Sequence, residues 1–250
     1  MGCALVDSGD KMKQIVFTFD DGLDSHLTKV APFFKEHDFN ATFYVSGKRD
    51  MWKKDMLSHL IEDPLADSQV VEIHKMGFEI GNHTLNHSMA PATLQKDVIG
   101  MENNLRKLGI DKPTTFCAPA YRYFPKAKVI LKKLGYTCCR IGYALKYDRN
   151  IHIDPSDIRD KVRYHTPGDF IVYSTMVLND WYGFDHFKKD LDAMPEDKVA
   201  IVTAHGLICD KRWEHLQKCL LYAKSKGYHG ATMKDMQSKQ NLCSALDKED

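Results

Sequence analysis

The chain has 250 residues, 43% of them hydrophobic, with 35 Lys+Arg against 34 Asp+Glu and a net charge of +1. That is enough apolar material for one large core, and the even balance lacks the basic excess that marks a dedicated nucleic-acid or membrane-surface binder. No apolar run reaches the roughly 18 residues of a transmembrane helix, and the first residues lack the charged and apolar regions of a secretory signal.

Seven cysteines, an odd number, lie scattered with no C-x-x-C pair. This usage fits free thiols in a reducing compartment, so the chain as it stands reads as cytoplasmic. A chain whose signal segment had been removed would look the same and would be secreted or lie in the cell envelope.

Residues 1–13 read as an N-terminal extension. Strand candidates follow at 14–19, 41–45, 78–81, 114–117, 137–141, 170–174 and 199–204. The runs "IVFTF" and "AIVTAH" are continuously apolar, as expected of parallel strands covered on both faces. Between strands, "KMGF", "KLGI", "KLGY" and "SKGY" each place a glycine just past a basic residue, and "KEHDF" places Asp38 there. Such a residue accepts the left-handed conformation, and a cation in the last turn suits the negative helix end. Five helices therefore stop and pass into extended runs. Leu94, Val98, Met101, Leu105 and Leu108 recur at helical spacing, as do Trp213, Leu216, Leu220 and Ala223. Residues 142–169 read as a polar, irregular excursion and 237–250 as a tail. Alternating strands and helices imply βα units and a parallel sheet. We expect an α/β fold, a barrel of parallel strands forming a single domain over 14–236.

Active sites of such barrels lie at the C-terminal ends of the strands. The first strand ends in Asp20-Asp21-Gly22. The third leads into "GNHTLNH", an H-x-x-x-H pair formed by His83 and His87, which on one helical turn would share a face and grip one metal ion. With a strand-end carboxylate as third ligand, two imidazoles leave positions open for water and substrate. One of the adjacent aspartates then ligates a cation while the other stays free as a general base. The plainer alternative is a turn with a helix N-cap, where Asp and Gly are ordinary. His205 ends the last strand and suits the general acid of an amide hydrolase near neutral pH. Asp180 is placed to pair with it and Trp181 to wall an acyl pocket. As plain structure, His205 is a satisfied core residue and Trp181 a core aromatic.

"TFDDG" at 18–22, "HTLNH" at 83–87 and the "IVTAHGL" histidine, in this order, resemble the NodB-type polysaccharide deacetylases (carbohydrate esterase family 4) over roughly residues 14–236. The resemblance implies a distorted (β/α)7 barrel and metal-dependent hydrolysis of N-acetyl groups from an amino-sugar polymer or oligomer, chitin- or peptidoglycan-like, releasing acetate. By the same resemblance Asp20 is the base, Asp21, His83 and His87 hold a divalent metal, usually Zn2+, and His205 is the acid. Asp180-Trp181 match the family's Asp-Trp motif. A backbone N–H near Tyr121 is the expected oxyanion donor. One departure stands out. The family's third motif opens with an arginine that holds the base, and here "FCAPAY" has Cys117 at that position. The other readings are an amidohydrolase of small non-sugar amides, a non-catalytic carbohydrate-binding relative, and a 2-His-1-carboxylate iron oxygenase.

Overall fold

The computed structural model describes residues 13–48, 62–142, 164–179, 182–207 and 209–237. Among the described residues nine strands run in the order β1 (Lys13–Phe19), β2 (Thr42–Val45), β3 (Glu79–Asn82), β4 (Thr115–Cys117), β5 (Cys138–Ile141), β6 (Ile171–Tyr173), β7 (Met176–Val177), β8 (Ala200–Ala204) and β9 (Tyr228–Ala231). The helices α1 (Ala31–Glu36), α2 (Asp67–Lys75), α3 (Leu94–Lys107), α4 (Pro125–Lys133), α5 (Phe184–Asp192) and α6 (Asp210–Ser225) lie between them. None of the helices among the described residues is long and apolar enough to cross a membrane.

Every pairing of named strands is parallel, in the spatial order β6-β5-β4-β3-β2-β1-β8-β7. The two ends of this order, β6 and β7, are consecutive in the chain and separated only by Ser174 and Thr175. Ser174 N–H donates to Ile141 O of β5, and Thr175 N–H donates to Ile201 O of β8. One kinked extended segment thus bonds first to one edge of the sheet and then to the other, and the covalent chain closes the barrel. With β6 and β7 counted as one kinked strand, seven strands circle the axis as a distorted (β/α)7 barrel. The additional strand β9 pairs with β1 through Lys13–Val16, below the Thr18–Phe19 stretch that pairs with β2.

All seven expected strands are present, with no end shifted by more than one residue. The short β9 follows the helix stop at Gly227, where an extended run was expected, and the short β7 was not expected. β7 has two residues, below the length at which a period can be read. The helix stops also hold. Gly77, Gly109, Gly135 and Gly227 have φ of 92, 75, 83 and 78°, and Asp38 has φ 57°. All five occupy the left-handed region that ends a helix. Most of the 142–169 excursion, residues 143–163, lies outside the described residues.

Strand side chains alternate between faces. On β1, Ile15, Phe17 and Phe19 point outward into the layer beneath the helices, where Phe17 meets Phe34 edge-on at 5.3 Å and Phe19 stacks on Phe43 at 5.1 Å. Val16 belongs to a separate inner cluster with Tyr44, Cys117, Cys138, Val172 and Ile201. Thr18 and Asp20 continue that inner face. Toward the C-terminal mouth the inner face therefore changes from apolar to hydroxyl to carboxylate, which carries polar chemistry to the rim without exposing the core.

Candidate active site

Asp20 and Asp21 are neighbours in sequence and part in space. Asp20 keeps strand geometry, its N–H donating to Ala204 O at 3.1 Å, and its carboxylate points into the barrel with 1% exposure. Asp21 has φ 77° and Gly22 φ 73°, so the chain leaves the strand abruptly. Asp accepts this region more readily than most residues. The turn swings the Asp21 carboxylate away from Asp20 and toward His83 and His87. Neither aspartate caps a helix. The following helical turn begins at His26, with Ser25 at its N-cap position.

The histidine pair does not sit on a helical turn as expected. Residues 83–88 form an irregular bend in which Thr84 has φ 66° and His87 φ 48°. Side chains answer the backbone locally in place of the helix, Thr84 N–H donating to Asn82 Oδ1 and Ser88 N–H to Thr84 Oγ1, while Leu85 N–H donates to the backbone carbonyl of Asp97 on α3. Asn and Thr compete with helical hydrogen bonds in this way. The outcome still brings both imidazoles to one point. Nε2 of His83 lies 3.3 Å, and Nε2 of His87 3.2 Å, from Asp21 Oδ1.

Three observations show that this triad fits a metal ion. First, Nδ1 of His83 is 2.9 Å from the Cys117 carbonyl oxygen. A carbonyl only accepts, so Nδ1 carries the hydrogen and Nε2 of the neutral ring is bare. A bare nitrogen and a carboxylate oxygen are both acceptors, so a positive centre, a proton or a metal ion, has to lie between them. This is also the tautomer that second-sphere carbonyls impose on metal-ligating histidines. Second, Asp21 Oδ1 is buried yet makes no well-aligned hydrogen bond. Third, ligands at about 2.0–2.1 Å from a tetrahedral centre lie about 3.3 Å apart, which is the separation found. Burial would raise the Asp21 carboxyl, but His83 and His87 outweigh it and hold it well below the usual range. The ligand atoms of Asp20, His83 and Cys117 also cluster within 4.8 Å. That set holds a cation poorly, because a guanidinium already occupies two of its members.

The guanidinium belongs to Arg140 of β5, which sequence reasoning missed. It is fully buried, and its Nη2 donates to both carboxylate oxygens of Asp20 and to Cys117 Sγ. Its Nη1 donates to Ser174 Oγ at 2.7 Å and Thr203 Oγ1 at 3.1 Å. The rings of Tyr44 and Tyr121 lie 5.4 and 5.7 Å from its central carbon. Burial would raise the Asp20 carboxyl; Arg140 first, then His205 and His83, bring it below the ordinary value. Cys117 is a thiol rather than a nucleophile: burial pushes it up, and Arg140 only partly offsets this. The signal in the sequence was an arginine at an inward position of a short buried strand, in "TCCRI".

His205 follows β8, with its Nε2 3.7 Å from Asp20 Oδ2 and 39% of its side chain exposed. The edge of the Tyr121 ring packs against it at 5.8 Å. Asp20, Asp21, His83, His87, Ala118, Ala120, Tyr121 and His205 together line a cleft of about 240 Å³. One expectation needs correcting. The backbone N–H of Tyr121 donates to Ala118 O at 3.0 Å inside a short 3-10 turn, so it is not directed into the cleft. Asp180 and Trp181 lie outside the described residues.

Residues 7–139 match the family model described as polysaccharide deacetylase. A curated relative from Geobacillus stearothermophilus, an uncharacterised 30.6 kDa protein in the fumA 3' region, is 24% identical over 130 residues, half of this chain. The match spans 44% of that relative's length. Among solved structures, the chain is similar to a family 4 carbohydrate esterase from Streptomyces lividans in complex with acetate. That likeness has a TM-score of 0.57 and 13% identity, covering 88% of this chain and 92% of the other. It is also similar to a family 4 acetyl xylan esterase from Clostridium thermocellum in complex with a cobalt ion (TM-score 0.56, 19% identity, 90% of each chain). A third likeness is to a family 4 pseudoenzyme from Bacillus anthracis (TM-score 0.60, 15% identity, 90% of this chain and 65% of the other). At these identities the likenesses show the fold. Since they include both enzymes and a pseudoenzyme, activity has to be argued from the residues of the site.

Proposed function

The chain belongs to the polysaccharide deacetylase family, and from that premise we propose that it hydrolyses N-acetyl groups of an amino-sugar polymer or oligomer by a metal-dependent route. One observation carries the reading. Two adjacent carboxylates are separated into unlike surroundings, Asp21 facing two imidazoles and Asp20 facing a guanidinium with His205 3.7 Å away.

A divalent cation held by Asp21, His83 and His87, with zinc suiting two imidazoles and a carboxylate, would polarise the acyl oxygen and acidify water. Asp20 takes the proton of the attacking water. Arg140 beside it holds its carboxyl below the ordinary value, so it is ionised at neutral pH. His205, at the exposed side of the cleft, gives a proton to the departing amine, a leaving group too basic to depart without one. Tyr121 walls the cleft beside His205 and narrows the space in which an acyl group sits. Asp180 and Trp181 are assigned, by their motif, to orienting the acid and flanking the acyl pocket.

The test is acetate release from chitin oligomers and from peptidoglycan fragments, with and without added zinc or cobalt. Metal-stimulated release on one of these substrates supports the reading. No release on any amide or ester substrate, with one bound metal per chain confirmed by elemental analysis, overturns it and leaves a non-catalytic carbohydrate binder.

A further inference from the structure

Arg140 is a charge carried to the centre of the barrel, and stability does not account for it. Removing two charges from water costs several kcal/mol each, and a buried pair often does no better than an apolar replacement. The placement makes sense through what Arg140 touches. Its Nη2 reaches both oxygens of Asp20, leaving that carboxylate one orientation, with Oδ2 directed toward His205. Its Nη1 is tied to Ser174, at the point where the chain crosses between the two sheet edges, and to Thr203 of β8. Thr203 continues through hydroxyl contacts to Thr18, two residues before Asp20 on β1. The guanidinium is therefore held by the barrel's closing seam and in turn holds the base.

Cys117 is part of the same arrangement. Cys117 and Arg140 are paired Cα partners across the β4–β5 ladder. Adjacent strands lie about 4.8 Å apart, so a long side chain from either position reaches the same interior point. Only one can occupy it, because two guanidinium groups there would repel each other and exceed the space. The small thiol at 117 leaves that room free and accepts a hydrogen bond from Nη2.

We infer that Arg140 is the positioning residue for Asp20, supplied from β5 into the place that sequence reasoning assigned to the start of the third motif, and that Cys117 is small because Arg140 fills the site. This rests on the function proposed above, and it is tested by variants whose behaviour separates the two. Arg140→Ala should lower kcat by about 10²- to 10³-fold with KM within about threefold and metal content unchanged. Added guanidinium ion, well below denaturing concentration, should restore at least tenfold of the loss. The exchange Cys117→Arg/Arg140→Cys should recover to within about tenfold of the parent, whereas Cys117→Arg alone should be impaired. A kcat loss under threefold, or a loss explained by vanished metal, or failure of both rescues in folded protein, overturns the inference while the parent's turnover leaves the function standing. If the parent itself shows no turnover, the function fails, and a thermal-denaturation cycle decides the inference. Arg140→Ala should then lower Tm at most half as far in an Asp20→Asn background as in the parent. Equal drops in both backgrounds would show that Arg140 does not act on Asp20.

Discussion

The outward and inward faces of the same strands are built from different chemistry. Outward, Phe17, Phe19 and Phe43 of the strands meet one another and Phe34 of α1 through their rings. Each such buried side chain contributes roughly 1.5–3 kcal/mol of transfer free energy. Inward, one residue along, Thr18, Asp20, Cys117, Arg140, Ser174 and Thr203 form a buried polar network in which each member satisfies another. The outer layer tolerates any shape-compatible apolar residue and holds the barrel together. The inner layer holds reacting groups in one orientation and has little redundancy, since a buried polar group that loses its partner bears the full desolvation cost.

The sharpest break of this contrast comes from the two carboxylates. Asp20→Asn should cut turnover by about 10²- to 10⁴-fold, with one metal still bound per chain. His87→Ala should lose metal as well as turnover, read by elemental analysis beside the acetate assay. If both variants lose metal alike, the two aspartates are not distinct in role. On the outer face, Phe17→Ala should cost about 3–5 kcal/mol of stability through the cavity it leaves, measured by urea denaturation. Turnover per folded molecule should stay near that of the parent. A large kcat loss there would mean that the two faces are not separable.

A smaller effect sits between the faces at His26. It is fully buried, accepts the Leu23 N–H at Nδ1 and lies 3.3 Å from His205 O through Nε2, an arrangement that suits the neutral ring. Burial lowers its pKa from 6.5 to about 4. The unfolded chain therefore takes up a proton that the folded one refuses. The stability this gives is present above pH 6.5 and is lost as pH falls toward 4, by about 3 kcal/mol in all. Thermal melts of the parent and of His26→Phe should diverge in slope across that window, the variant being the flatter; parallel curves would refute the assignment. The smallest effect belongs to the exposed Glu214–Lys218 pair on α6. Glu214→Ala should leave Tm unchanged within error, as surface pairs of this kind usually do.

Much of this was readable from residue order. The five helix stops were visible because a glycine or aspartate requirement at positive φ is local. His83, His87 and one of the two adjacent aspartates were assembled from strand-end placement and spacing, and the choice of Asp21 came from the family resemblance; the expected helical turn is an irregular bend fixed by Asn82, Thr84 and Asp97. Arg140 was not legible as part of the site. Parity places it inward only once the strand's register is known, and its partner Asp20 is 120 residues away in sequence.

The amino-acid sequence by itself determined the alternation of strands and helices and which strand ends carry carboxylate and imidazole, because turn chemistry and hydrophobic period act between near neighbours. The tertiary structure alone decided three things: that a kinked segment at Ser174–Thr175 closes the barrel, that the turn at Asp21 and Gly22 aims adjacent aspartates apart, and that the guanidinium facing Asp20 comes from β5. Each depends on which strands lie side by side and in what register, and that is settled by packing the whole barrel.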